Sequence, residues 1–160
     1  MGEHPLEARA DAVIQANKYL TLSTVDEQGR PWATPVYFTP DGHTHLYWVS
    51  SPDSLHSRNI TANPDISVAI FDSTVAIGQA QGVYLTAHAH LVPEAELADR
   101  ARLFSSRYAE LRHLPAEELR APADLRLYRA TVTRAWVLIR AGDPDYGTGI
   151  DTRHPVWPAE

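Results

Sequence analysis

Apolar and polar positions alternate with two distinct periods along this chain. In the segment PLEARADAVIQAN, Leu6, Ala10, Val13, Ile14 and Ala16 fall at helical spacing, and Asn17 can close the helix. KYLTLSTV then switches to period two and predicts a strand. DEQGRP is a turn, and WATPVYF is the returning strand. Pro35 inside it marks an edge, a bulge or an interrupted ladder, because proline has no N–H to donate. The Asp-Gly of TPDGH predicts a type I′ hairpin turn, and THLYWV a third strand. ISVAIF is apolar on both faces and reads as a central fourth strand, and VYLTAHAHLV as a fifth. Pro93 opens a second helix with acids in its first turn. RHLPAEELRAP is a connector with one helical turn, and LRLYRATVTRAWVLIR is a long sixth strand. The tail from Ala141 is rich in Gly and Pro and has no strong period. Strands that arrive as hairpins predict a mainly β (α+β) fold: a small six-stranded antiparallel barrel, with helices outside it or at its ends.

Between the third and fourth strands the pattern breaks. VSSPDSLHSRNITANP places four serines, a histidine and an arginine between Val49 and Asn59. Ser51 suits an N-cap, Pro52 the first helical position, and Asp53 the positive end of the dipole. These predict a short helix from Pro52 to about Ala62, ended by Pro64, which restricts Asn63. A helix N-terminus offers unpaired N–H groups to an anion. Ser50, Ser51, Ser54 and Ser57 add hydroxyls, His56 a further donor and Arg58 a planar cation. The same residues also suit an ordinary capped helix with a solvated polar face.

Composition narrows the classes. The 160 residues suit one domain, and an apolar fraction of 44% can build a core. A formal net charge of −6 argues against general nucleic-acid binding but leaves room for a local phosphate pocket. The absence of cysteine excludes disulfides and thiolate chemistry. No apolar run reaches the ~20 residues of a membrane helix, and the N-terminus lacks the apolar core of a signal peptide. These imply a cytoplasmic protein.

GRPWATPVYF, HLYWVSSPDSLHSRNITANPDISVAIFD and GVYLTAHAHLV resemble the FMN-binding split barrels of the pyridoxamine 5'-phosphate oxidase-like superfamily, over roughly Lys18 to Arg140. The resemblance implies a six-stranded split barrel, a homodimer with cofactor grooves between subunits, and an FMN-dependent oxidoreductase acting on a small molecule. It implies that Thr34, Pro35, Val36 and Tyr37 lay backbone against the flavin ring. Val49 and Ser50 would line the flavin beside Trp48, with Ser54, Leu55 and His56 near its phosphate. Ser51 and Arg58 complete that set. Gln79 or Gln81 would meet the ring or the ribityl chain, and Trp136 and Arg140 would reach the partner's flavin. One departure stands out: the family's usual phosphate lysine is His56 here. The same fold leaves open a deazaflavin-dependent reductase, for which Arg100, Arg102, Arg107 and Arg112 could form a basic groove or could merely be a solvated face, or a non-catalytic flavin- or haem-binding protein.

Other residues suggest less. His43 with His45, and His88 with His90, could each share a strand face, but two imidazoles without a third ligand make no metal site. No Ser-His-Asp set is legible, and the catalytic residues stay unassigned. Trp157, a lone aromatic in the tail, must cover some surface: a partner subunit or the flavin groove.

Overall fold

The computed structural model describes residues 4–157. Helix α1 (Pro5–Ala16) is followed by strands β1 (Tyr19–Val25), β2 (Pro31–Tyr37), β3 (Thr39–Asp41) and β4 (His45–Ser50). Then come α2 (Leu55–Ala62), β5 (Asp65–Phe71), β6 (Gly82–Leu91), α3 (Glu94–Ser106), a 3-10 turn (Ala116–Leu119), β7 (Arg126–Ile139) and β8 (Thr152–Pro155). The sheet order is β2-β1-β5-β6-β7-β4-β3, antiparallel throughout, with β8 added to β7. Its two ends, β2 and β3, are separated only by Phe38. The sheet therefore curls back on itself as a split barrel, with three helices on its flanks.

The six expected strands all form, and two more join them. β3 occupies what the sequence suggests is only a turn. The connection to β4 takes three residues after the Asp41↔His45 pair, and Gly42 alone there has a positive φ, of 56°. A type I′ turn needs positive φ at both central residues, so the expected Asp-Gly turn is corrected. β8 forms in the tail. β5 is central, as expected, but alternates: Ile66, Val68 and Ile70 are buried while Asp65, Ser67 and Phe71 are exposed.

Local chemistry sets the ends of α1. His4 accepts from the Leu6 N–H at 3.2 Å and Glu7 reaches back to the His4 N–H at 3.3 Å, a capping box. At the other end Asn17 Nδ2 donates to the Val13 carbonyl at 2.7 Å. Inside the barrel, residues such as Leu22, Ile70, Leu85 and Val137 meet Leu6, Ala10 and Ile14 of α1. A second cluster lies on the outside of the sheet, where α3 covers Tyr47, Val92 and Leu127 with Leu97, Ala101 and Phe104.

Arg107, just past α3, joins these layers. It donates to the carbonyls of Phe38 (2.6 Å), Ile14 (2.8 Å) and Asn17 (3.0 Å), and its guanidinium lies 4.5 Å from the Phe38 ring centroid. Arg107→Leu leaves three carbonyls without donors and should cost roughly 2 kcal/mol. Urea unfolding checks this; an unchanged midpoint would refute it.

The tail is tied down at three points. Asp143 Oδ2 accepts from Arg9 at 2.6 Å, β8 pairs with β7, and Trp157 packs into the main core. Trp157 thus covers neither a partner nor a cofactor groove. Its ring stacks on His43 at 4.2 Å, and His43 in turn meets Asp11 at 2.8 Å.

Candidate functional site

The split in the barrel opens between β2 and β4. β3 pairs with β4 only from Asp41↔His45 to Thr39↔Tyr47. Beyond that point β2 pairs with β1 alone, and Trp48, Val49 and Ser50 pair with β7 alone. Among the described residues each strand so keeps one edge of N–H and C=O groups without a strand partner, a place where a ligand's polar edge can bond. Pro35 sits on this edge strand, opposite Thr21 in an unbroken ladder. The edge account of Pro35 holds; the bulge and the interrupted ladder do not.

Side chains around the split divide between its walls. Val36 and Trp48 point into the barrel, where Trp48 is 1% exposed and stacks on Tyr128 at 5.7 Å. Tyr37 and Val49 turn the other way and pack under α3. For Tyr37, Val49 and Trp48, then, only backbone is free to line the opening. Thr34 is half-buried, Pro35 exposed, and Trp32 on the same strand is 47% exposed.

Beyond β4 the chain makes a serine-lined turn into α2. The N-cap is Ser54, not Ser51, and Pro52 and Asp53 lie before the helix. Ser51 is spent on the turn instead. Its carbonyl accepts from the Ser54 N–H (3.2 Å) and from Ser54 Oγ (2.9 Å), and its Oγ accepts from the Asp53 N–H (3.2 Å). Ser54 Oγ accepts from the Ser57 N–H at 3.4 Å. That leaves the Leu55 and His56 N–H groups without intrahelical acceptors at the positive end of the helix. The correction favours an anion, because Asp53 is moved out of the first turn.

His56 is the centre of the cluster. Its Nε2 lies 2.8 Å from Ser50 Oγ and 3.2 Å from Ser54 Oγ. Burial pushes this imidazole below its ordinary pKa and so favours its neutral form. Arg58 is exposed and donates to the Asp53 carbonyl. The helix is anchored from behind: Ser57, Asn59 and Ile60 are buried, and Asn59 Nδ2 donates to Thr24 Oγ1 of β1 at 3.0 Å. The hydroxyl of Ser50, the His56 ring and the first two N–H groups of α2 therefore gather at this turn beside the free strand edges, while the single Ser54 hydroxyl proton goes to the Ser51 carbonyl or Ser57 Oγ. These groups suit a phosphate.

Gln79 and Gln81 stand elsewhere. Ser50 faces Arg126 at one end of β7, whereas Val83, two residues past Gln81, faces Val137 near the other. Eleven strand residues span roughly 35 Å at ~3.3 Å each. The chain thus does not bring these glutamines to its own α2. They line a groove of about 350 Å³ with Arg9, Val13, Ala16 and Val75. Gln79 is exposed; Gln81 is half-buried with its Oε1 enclosed and unpaired. An orphaned acceptor of this kind suits a ligand's N–H or O–H, so Gln81 is the better candidate of the two.

The remaining candidates carry little. Arg100 pairs with Asp41 and Glu96, Arg102 with Asp99 and Arg112 with Glu118, while Arg107 holds backbone carbonyls. The basic groove expected of these four residues does not form. Among the described residues no three His, Asp or Glu side chains are placed to hold a metal. His88 pairs with Asp65 at 2.5 Å, and His90 faces the Arg129 guanidinium at 3.3 Å. No helix among the described residues is long and apolar enough to cross a membrane.

Solved structures share this arrangement of strands. The haem-binding protein from Mycobacterium smegmatis aligns over 97% of this chain and 60% of its own, with 20% identity and a TM-score of 0.71. HutZ, the haem storage protein from Vibrio cholerae, aligns over 81% of this chain and 92% of its own, with 22% identity and a TM-score of 0.62. A Listeria innocua protein described as a candidate pyridoxamine 5'-phosphate oxidase aligns over 82% of this chain and 97% of its own, with 17% identity and a TM-score of 0.61. At such identities the likeness establishes the fold. No curated protein matches the sequence. The family model described as pyridoxamine 5'-phosphate oxidase matches residues 6–138, from α1 through almost all of β7. A match that takes in the split, the α2 turn and every strand of the barrel but β8 leaves one conclusion: the chain belongs to the pyridoxamine 5'-phosphate oxidase family.

Proposed function

We propose that this protein binds FMN as a homodimer and acts as an FMN-dependent oxidoreductase on a small organic molecule. The observation that carries the proposal is the meeting of the free β2 and β4 edges with the donor-rich start of α2. Ser50, Ser54, His56 and the Leu55 and His56 N–H groups would hold the phosphate. The backbone of Thr34–Tyr37 and of Val49 would orient the ring, and the Tyr37 and Val49 side chains, packed under α3, keep both strands fixed. Bound FMN supplies hydride acceptance and donation, and the chain supplies binding, orientation and exclusion of water. A second protomer would complete the site in two ways. It would bring Gln81 to a cradle its own chain cannot reach, and it would cover Trp32 and Leu55, which are 47% and 38% exposed beside the split. Absorbance of the purified protein tests the cofactor: flavin bands support the proposal, whereas a Soret band would replace it with haem. Haem is the second reading, because proteins of this fold bind or store it and His88 presents an exposed imidazole.

His56 gives the site a pH dependence. Burial favours the neutral form of the free imidazole, whereas a phosphate dianion favours the imidazolium. Binding therefore takes up a proton. Affinity falls as pH rises through the window between the lowered free value and the raised bound one. FMN should bind several-fold more weakly at pH 8.5 than at pH 6.5. His56→Lys stays charged across this range, shares the phosphate's own titration, and should bind about tenfold tighter at pH 8.5. Parallel pH profiles for the two proteins would remove His56 from the phosphate site.

A further inference from the structure

The end of β6, the start of α3, the 3-10 turn and the start of β7 line a cavity of about 260 Å³ that the flavin site does not use. Val92, Leu97, Leu119 and Leu127, all buried in the outer apolar cluster, form one part of its lining, and Leu91, 50% exposed, adds to it. Arg120 and Arg126 line it as well. One turn draws these two arginines together. The Ala123 N–H donates to the Arg120 carbonyl at 2.9 Å, and Arg126 Nη1 donates to the carbonyls of Ala123 (2.5 Å) and Leu125 (2.7 Å). Arg120 pairs with Glu94 at 2.8 Å, and its Nε is enclosed without a partner. Arg126 is fixed by backbone, and among the described residues no carboxylate pairs with it. Of the described acids, Glu94 lines the cavity, whereas Asp124, two residues before Arg126, does not.

Two guanidiniums against one carboxylate leave the cavity with an excess cation, in a chain of net charge −6. A guanidinium fork matches a carboxylate, and a single uncompensated cation suits a monoanion better than a phosphate dianion. The leucines and the valine around it favour an aliphatic stem. The volume falls just below the roughly 300–1,000 Å³ of drug-sized ligand sites, so that stem is short. We propose that this cavity binds a short-chain aliphatic carboxylate of about six carbons, its carboxylate on Arg126 and its chain against Leu91 and Leu119. None of the residues that would hold FMN lines the cavity, and carboxylate binding here is independent of flavin. Arg126 does stand opposite Ser50 in the β4–β7 ladder, so competition between the two ligands tells the sites apart.

The test uses the flavin-free full chain with ¹³C-methyl leucine and follows the Leu91 and Leu119 methyl signals, assigned with Leu91→Ile and Leu119→Ile. Hexanoate should shift both saturably. Butyrate, two methylenes shorter, should bind about tenfold more weakly, because each buried CH₂ gains about three- to fourfold in affinity. Hexan-1-ol and hexylamine carry the same chain without a negative charge and should leave both signals in place. Arg126→Gln should weaken hexanoate about tenfold or more. Leu91→Asn, at a half-exposed position, should weaken it about threefold or more while the melting temperature stays the same. Saturating FMN should change hexanoate affinity by less than about twofold. A chain that binds hexanoate but no FMN would uphold this cavity and sink the flavin reading. A chain that binds FMN while neither methyl responds to hexanoate would do the reverse. Loss of hexanoate binding on addition of FMN would put the carboxylate in the α2 cradle and overturn the site. Equal binding of hexan-1-ol, or unchanged affinity in either variant, would also overturn it.

Discussion

Trp157→Ala is expected to lower the stability of the fold by about 4 kcal/mol, the range for an aromatic removed from a packed core. Trp157 is 7% exposed although it stands near the chain's end. Its carbonyl accepts from the Ala135 N–H at 2.8 Å, the Val156 N–H returns a bond to the Ala135 carbonyl at 3.0 Å, and its ring lies on His43. Removing the indole opens a cavity under α1 and frees the strand that follows the tail's turn. Trp157→Phe keeps the stack and deletes an indole N–H that has no partner, so it should cost roughly 1 kcal/mol. Denaturant unfolding at one protein concentration measures both. A loss below roughly 1 kcal/mol in the alanine variant would show that the tail does not belong to the core.

Ser54→Ala with His56→Ala should weaken FMN by about a hundredfold, because two donors to a buried dianion are each worth roughly 1.5 kcal/mol. The substitution also removes the α2 N-cap, at a cost of roughly 1 kcal/mol, which the fold tolerates because Ile60 and Asn59 still anchor the helix. Fluorescence titration of flavin measures the affinity, and circular dichroism checks the fold. A loss smaller than about fivefold in a folded variant would place the phosphate somewhere else.

The period of the apolar residues made most of the long strands and both long helices legible, because they bury one face; β2, where only Val36 is buried, was legible as the partner that follows the DEQGRP turn. β3 and β8 were not legible for the opposite reason. Thr39–Asp41 contains a proline and precedes a glycine, and it becomes a strand only because β4 lies alongside. Thr152–Pro155 has no apolar period and forms on the free edge at the end of β7. The site divides in the same way. The serine cluster was visible as composition, but the choice of N-cap depended on how Ser51 is used. Ser-Pro-Asp reads as a good helix start, and here that tripeptide is consumed by the turn that brings Ser54 to the cap. Likewise, α3 reads as a basic face although Arg100 and Arg102 find Glu96 and Asp99 within the same helix, at i,i+4 and i,i+3; only the Arg100–Asp41 pair joins two elements that no single segment reveals.

The central claim is that the start of α2 is a phosphate cradle for a flavin. It is tested most directly by comparing FMN with riboflavin, which carries the same ring and ribityl chain without the phosphate. Titrating both into the flavin-free protein at pH 7 should show FMN bound about a hundredfold or more tighter. Equal affinity for the two, or affinity for neither, would contradict it.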